Sequence, residues 1–387
     1  MVEERGVRWA AALLFFLLPF ATVPWMGDAV LLKWALIWAG ESAALVYLLW
    51  KGTKADRVDL AVCAVVGWAA LSLLWAPDVR GAGLVFERFA TGALAFLILR
   101  RIANREIAGW CAVALLASML VRIFAFGEND YGGLGNPNFM AEALLVTLPL
   151  LPASIVGMCV GVVATVPLLT GSSDVMWPVL GLWLVLLVGL WSRRSALVIA
   201  AVGTSAFLAL LTVSVALQTS VQTRLDLWLG TGAAILKAPW LGHGIGSFNY
   251  VFPFFADTSA PFGLLPYSVE LQVYAGAAHN EYLQLLLELG VVGLVLVGIA
   301  VWFSVPLMKW RHLCTIGLLA LYGFPLQNPV TMLVVALSVA VLCPAGCDSR
   351  PLAWGWLSAR WRAAADRLRG KSQHRQGLDR EPQAIQF

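Results

Sequence analysis

Charge is scarce in this sequence. Only 12% of its 387 residues are Asp, Glu, Lys or Arg, 60% are hydrophobic, and mean hydropathy is +0.81. A soluble domain carries about twice that share of charge, so a water-soluble enzyme is excluded. Cysteine offers no chemistry either. Cys63, Cys111, Cys159 and Cys314 fall in or beside apolar runs, where they serve as small hydrophobes, and Cys343 and Cys347 follow the last run. None is spaced with histidines as a metal site would require. No internal repeat is visible, which argues against a chain built from two duplicated halves. Gly242, Gly244 and Gly246 alternate, but no strand-then-helix context makes them a dinucleotide fingerprint.

What the sequence has is long apolar runs, each able to cross a hydrocarbon core of about 30 Å. About twelve spans are expected, at 9–26, 29–50, 58–75, 82–99, 107–126, 137–152, 154–170, 175–191, 195–217, 280–304, 312–326 and 328–344. The first lacks a small-residue cleavage site and reads as a retained span. The connections sort by charge. Lys51, Lys54 and Arg57, then Arg100, Arg101 and Arg105, then Arg193 and Arg194, then Lys309 and Arg311 alternate with acidic connections at Asp28, Asp78, Glu128 with Asp130, and Asp174. The positive-inside rule puts the basic set and both termini in the cytoplasm. The chain is thus expected to be an all-α polytopic membrane protein. Its parts are N-terminal spans (1–217), an outward-facing helical loop (218–279), C-terminal spans (280–344) and a basic tail (345–387). In that tail Trp354, Leu357, Trp361 and Leu368 recur at helical spacing among arginines, which suits either a helix on anionic lipid or a solvated tail.

The outward loop, about 60 residues long, is not of low complexity, and a long structured loop in a compact protein is usually functional. It opens with "TSVQTRLDLWLGTGAAILKAPW", read as an amphipathic helix ended by Pro239, and continues into "GHGIGSF". Arg224 on that helix suits a headgroup anchor, or a bidentate grip on a diphosphate. Gly244 and Gly246 suit a tight turn, or backbone N–H groups cradling an anion, with His243 ambiguous between them. The loop ends at "AHNEYLQLLLELGVVGL" (278–294). Here His279 is either structural or a general base, since a neutral imidazole has the right basicity near pH 7. Asn280 can cap the helix start. Glu281, Gln284 and Glu288 share one face at i, i+3 and i+7, which carries a carboxylate two turns inward, where polar groups face protein or water.

Other polar residues read as structural or solvated. Lys33, Glu41, Glu87, Arg88 and Glu142 lie inside spans and are costly unless paired. Glu128 and Asp130 make an E-x-D pair in the outer loop "GENDYGGLGNPNF" (127–139), too few carboxylates for a metal site.

Residues 224–303 resemble the O-antigen ligase and polymerase superfamily of bacterial envelope enzymes. The resemblance rests on Arg224 followed by Trp228, on "APWLGHGIGSF" (238–248) and on "AHNEYLQLLLELGVVGL". "GNPNFMAEALL" (135–145) and "FPLQNPV" (324–330) are similar to recurrent family segments. It implies a polyprenyl-diphosphate-linked glycan donor, a lipid A-core or glycan acceptor, no cofactor, no metal and no nucleic acid. It also implies a periplasm-facing site in the bacterial inner membrane, with Arg224 on the donor diphosphate and His279 assisting the acceptor hydroxyl. One departure stands out. The family's arginine in a Thr-Gly-Ser-Arg-like stretch is replaced here in "LTGSSDVMW" (169–177) by Ser173 and Asp174. Arg122, near the outer end of the fifth span, is the candidate substitute, whereas Arg193 and Arg194 belong to the opposite side.

The expected activity is glycan transfer by inverting displacement, with ligation onto lipid A-core first and repeat-unit polymerisation as the alternative. Arg122, Asn280, Glu281, Gln284, Gly244 and Gly246 are candidate substrate-binding residues beside the catalytic pair. A lipid-linked sugar transporter or flippase is the reading from another class. It calls for pseudo-symmetric halves, against which the single large loop argues.

Overall fold

The computed structural model describes residues 2–21, 31–126, 134, 137–147, 150–151, 215–255, 277–304 and 328–345, with isolated positions at 198, 203, 205 and 320. All belong to one compact unit, Met1–Ala345. Glu128, Asp130, Ser173, Asp174, Arg193, Arg194, the tail and most of the expected spans between 154 and 214 lie outside the described residues.

Every described element is helical; besides short turns of helix at Leu18–Phe20, Phe248–Val251 and Phe252–Phe254 these are α1 (Val2–Leu17), α2 (Leu31–Trp50), α3 (Arg57–Ser72), α4 (Val79–Ile102), α5 (Arg105–Phe126), α6 (Pro137–Thr147), α7 (Val215–Ile235), α8 (Glu281–Ser304) and α9 (Pro329–Leu342). Within α2, α4, α5 and α8, four stretches are long and apolar enough to cross a membrane: Leu32–Trp50, Val79–Ile102, Arg105–Phe126 and Glu281–Ser304. Of the span expected at 137–152, α6 takes only 11 residues, about 16 Å of rise. Every described side chain of α6 from Met140 to Thr147 is buried, so it is an interior helix.

Two packing groups divide the described helices. In one, α5 packs against α1 and α9 against α4 and α6, around a core that includes Leu115, Leu116, Met119, Leu145 and Leu337. In the other, α8 packs against α3 and α7. An ion cluster joins α3, α4 and the end of α9. Asp56 and Asp59 form a reciprocal capping box at the start of α3. The same carboxylates receive Arg100, whose Nη1 lies 2.6 Å from Asp59 and Nη2 2.7 Å from Asp56. Arg101 donates to Asp59 at 2.5 Å, and Arg100 Nε donates to the carbonyl of Cys343 at 2.8 Å. Residues 56–59, 100–101 and 343 therefore share one end of the bundle. The α3–α4 turn, with Asp78 capping α4, is at the other.

That other end receives the glycine turn and breaks α8. The span expected as one helix over 280–304 is interrupted at Gly290, where φ is 67° and ψ −172°. A break at this depth frees backbone groups that must find partners inside the protein. The segment 239–244 supplies them in both directions. His243 N–H donates to the carbonyl of Leu287 at 2.8 Å and Gly244 N–H to that of Glu288 at 2.9 Å. Beyond the break, Val291 and Val292 N–H donate to Pro239 and Trp240 carbonyls at 2.9 and 3.2 Å. Trp68 Nε1–H on α3 takes the Leu289 carbonyl at 3.0 Å. A Cβ on Gly242 or Gly290 would strike the other's strand of backbone, so both must be glycine.

The boundary drawn between 217 and 218 falls inside α7, and α7 buries charged residues. Arg224, Asp226 and Thr231 are buried beside Leu227 and Ala234, whereas Leu225 and Leu229 are exposed. A helix that buries its arginine and aspartate while exposing leucines fits a lipid surround rather than water.

Candidate active site

Arg224 lies on the buried face of α7, with 7% exposure. One turn on, Trp228 Nε1–H donates to the carbonyl of Ala278 at 3.2 Å, which docks α7 on the turn before α8. His279 follows at φ 51°, the only described non-glycine residue in the left-handed region. Such a conformation is sparsely populated and persists where the surroundings impose it. Asn280 then caps α8: its Oδ1 accepts from the N–H groups of Tyr282 and Leu283, each at 3.1 Å.

The electrostatics of the turn are one-sided. Burial first, and the charge of Arg224 second, hold the His279 imidazole down to about 4 from its ordinary 6.5. Both effects disfavour the imidazolium. His279 is thus a neutral imidazole at physiological pH, able to accept a proton and set within the field of a buried arginine. Burial also raises Asp226 above the ordinary range.

The remaining candidates divide. Gln284 and Glu288 are joined to the turn and to each other. Gln284 Oε1 accepts from Ala278 N–H at 3.2 Å, and Gln284 Nε2 donates to Glu288 Oε1 at 3.1 Å. Glu281 begins α8 beside them, half-buried. Gly244 and Gly246 do not form an open anion cradle. The first donates its N–H to the Glu288 carbonyl and the second to Glu288 Oε2 at 2.8 Å. Both press on the α3–α4 turn, where a Cβ would meet Ala76, or Ala82 and Val85. Their alternation is a packing device. His243 donates Nε2–H to the carbonyl of Ala234 at 2.9 Å, closing the end of α7. Arg122 is buried on α5 with its guanidinium 5.7 Å from the ring of Phe20 and 4.9 Å from that of Phe126.

Beside the glycine turn a cleft of about 470 Å³ opens between Trp75, Pro77, His243, Tyr250, Phe254 and Phe255. Among the described residues, no group of three or more His, Cys, Asp or Glu is placed to hold a metal ion.

Residues 152–298 match the family described as O-antigen ligase. The matched segment, less than half of the chain, is similar to that family. It takes in Arg224, the glycine turn, His279, Gln284 and Glu288. No curated protein matches the chain. Four described helices are long and apolar enough to cross a membrane, and the family that the segment resembles is one of glycosyltransferase-like bacterial membrane enzymes.

Two features of the site were missed from sequence. Trp68 and Ser72, far from the motif in the chain, hold Leu289 and Ile245. Neither carries a sequence signal, because an interfacial tryptophan and a helix-end serine are ordinary at a span terminus.

Proposed function

We propose that the chain transfers a glycan from a polyprenyl diphosphate to an acceptor hydroxyl, as an O-antigen ligase acting on lipid A-core at the periplasmic face of the inner membrane. The supporting observation is the pairing of a neutral His279 with the buried charge of Arg224. His279 takes the proton of the acceptor hydroxyl as that oxygen attacks the anomeric carbon. The bond from the anomeric carbon to the diphosphate oxygen breaks, the anomeric centre inverts, and the polyprenyl diphosphate departs. Arg224 stabilises the negative charge that grows on it, a contribution that acts in the transition state. The donor's tail remains in lipid, in keeping with the apolar outer face of α7. No step calls for a cofactor.

The arrangement also couples the two residues. With the site empty, Arg224 opposes protonation of His279. A diphosphate against Arg224 offsets that charge, so the imidazole becomes more basic once the donor is seated.

The test is transfer in proteoliposomes from a purified polyprenyl-diphosphate glycan. Glycan appearing on added lipid A-core supports ligation. Chains that lengthen on the donor itself, with lipid A-core untouched, assign the polymerase activity instead. No transfer to either, together with movement of the lipid-linked sugar between leaflets, would overturn the enzyme reading.

A further inference from the structure

We propose that Gln284 and Glu288 are positioning residues for His279, forming a hydrogen-bond relay of fixed polarity from the glycine turn to the backbone of Ala278, the residue before the histidine. The inference rests on His279 being the base. It starts from the strained conformation of that residue. At φ 51° the backbone of His279 needs an external hold. The hold is on Ala278, gripped from two sides: its carbonyl by Trp228 Nε1–H of α7, its N–H by Gln284 Oε1 of α8, each at 3.2 Å. Gln284 is in turn held by Glu288, and Glu288 by the N–H groups of Gly246, at 2.8 Å, and Phe248. The glycine turn is fixed against the α3–α4 end by Ile245 N–H, which donates to Ser72 Oγ at 3.0 Å. The position of His279 is thus referred, bond by bond, to the rigid end of the bundle.

Polarity makes the relay testable. At both ends the relay meets backbone N–H groups, which can only donate. The side chains at 284 and 288 must therefore accept at both outer ends and supply one donor between them. An amide at 284 with a carboxylate at 288 satisfies this. The reverse order, carboxylate at 284 and amide at 288, satisfies it equally. Two amides bring donor against donor at one of the three joints, and two carboxyls fit only while they share one proton, which then serves as the donor between them. All four combinations have nearly the same shape, so packing alone does not distinguish them.

The experiment compares wild type, Glu288→Gln, Gln284→Glu and the double exchange Gln284→Glu/Glu288→Gln for glycan transfer in proteoliposomes at matched amounts of folded protein. Glu288→Gln is expected to lose about 10²-fold in kcat, the usual cost of displacing a reacting group by an ångström, and Gln284→Glu to lose activity only as rising pH strips the shared proton from the carboxyl pair. Donor KM is expected to stay within about twofold, since Arg224 is untouched. The double exchange is expected to recover to within about threefold of wild type. Glu288→Gln as active as wild type, or a double no better than Glu288→Gln, would overturn the relay. Should a single variant fail to insert, Trp228→Phe takes its place. It removes the other grip on Ala278, and it must lower kcat with little change in donor KM; an unchanged kcat there also overturns the proposal. His279→Ala separates the two ideas. If it keeps transfer, the base assignment fails whatever the relay does. If it abolishes transfer and the double is not rescued, the relay alone fails.

Discussion

Arg100 and Arg224 are both buried arginines, with 2% and 7% exposure, and they act on different kinds of neighbour. Arg100 is neutralised on the spot. Asp56 and Asp59 face it and Arg101, two carboxylates for two guanidinium groups, and the Cys343 carbonyl takes its Nε–H. Such a cluster ties three helices together and does no chemistry. Arg224 instead directs its field at an imidazole and keeps it neutral. Buried charge in a membrane protein is costly in either place. At one end of the bundle that cost secures an assembly; in the α7–α8 group, on the proposed function, it would prepare a base and a place for an anion.

The largest effect that would separate these regions is expected at His279. His279→Ala should lower transfer by about 10²–10⁴ per folded molecule, the range for loss of a general base. Donor affinity should persist. Transfer near the wild-type rate in membranes at matched expression would return His279 to a structural role.

Arg224→Lys comes next. An ammonium keeps the charge but loses the planar fork, so kcat should fall by about 10²–10³ and donor KM should rise. That joint change distinguishes it from His279→Ala. A Lys variant with wild-type kcat and KM would make Arg224 a headgroup anchor.

The acid limb of the pH profile sharpens the contrast. His279 must be neutral to act, so activity falls as pH drops through its pKa. In the free enzyme that value is about 4, and the limb of kcat/KM should lie there. Donor diphosphate offsets Arg224, so the limb of kcat should sit higher, towards the ordinary 6.5. Arg224→Ala should move the limb of kcat/KM upward as well, though burial, the larger cause, keeps it below the ordinary value. Limbs that coincide in wild type would remove the coupling between base and donor.

At the other end, Asp59→Asn should leave kcat per folded molecule unchanged. It should lower the thermal midpoint in detergent, because half of a buried ion pair costs about 3–5 kcal/mol to remove. A kcat loss without a stability loss would mean that the cluster acts on the site.

The sequence announced much of this contrast through type and spacing. Apolar runs predicted α2, α4, α5 and α8, and one face of α8 carried Glu281, Gln284 and Glu288 as i, i+3 and i+7 require. Asn280 as a cap was readable from its place before that run. The break at Gly290 was not. "LGVVGL" reads as helix interior, and a glycine there is ordinarily a tolerated loss of helix propensity. Only the facing backbone of 239–244 makes it a corner. The glycine alternation was visible, but its meaning depended on what each glycine presses against, and Ala76 and Ala82 lie over 160 residues away in the chain. The burial of charged residues on α7 was likewise hidden, since the same periodicity serves a helix with water outside and a helix with lipid outside.

The smallest expected effect concerns Arg122, the candidate for the arginine that Ser173 and Asp174 replace. Its guanidinium is engaged with the rings of Phe20 and Phe126, contacts worth about 0.5–2 kcal/mol each. An arginine held by two rings can still present N–H groups edge-on to a phosphate, so geometry alone does not assign it. Kinetics does. If stacking is its role, Arg122→Ala should lower the thermal midpoint and change donor KM by less than about twofold, and Arg122→Lys should behave much like wild type, since an ammonium also lies over aromatic faces. If it grips the diphosphate, Lys should fail as it does at 224, because the bidentate fork is lost. The stacked geometry favours the first outcome. A donor KM that rises in Arg122→Lys as in Arg224→Lys would instead make Arg122 the second diphosphate ligand, and α5 part of the donor site.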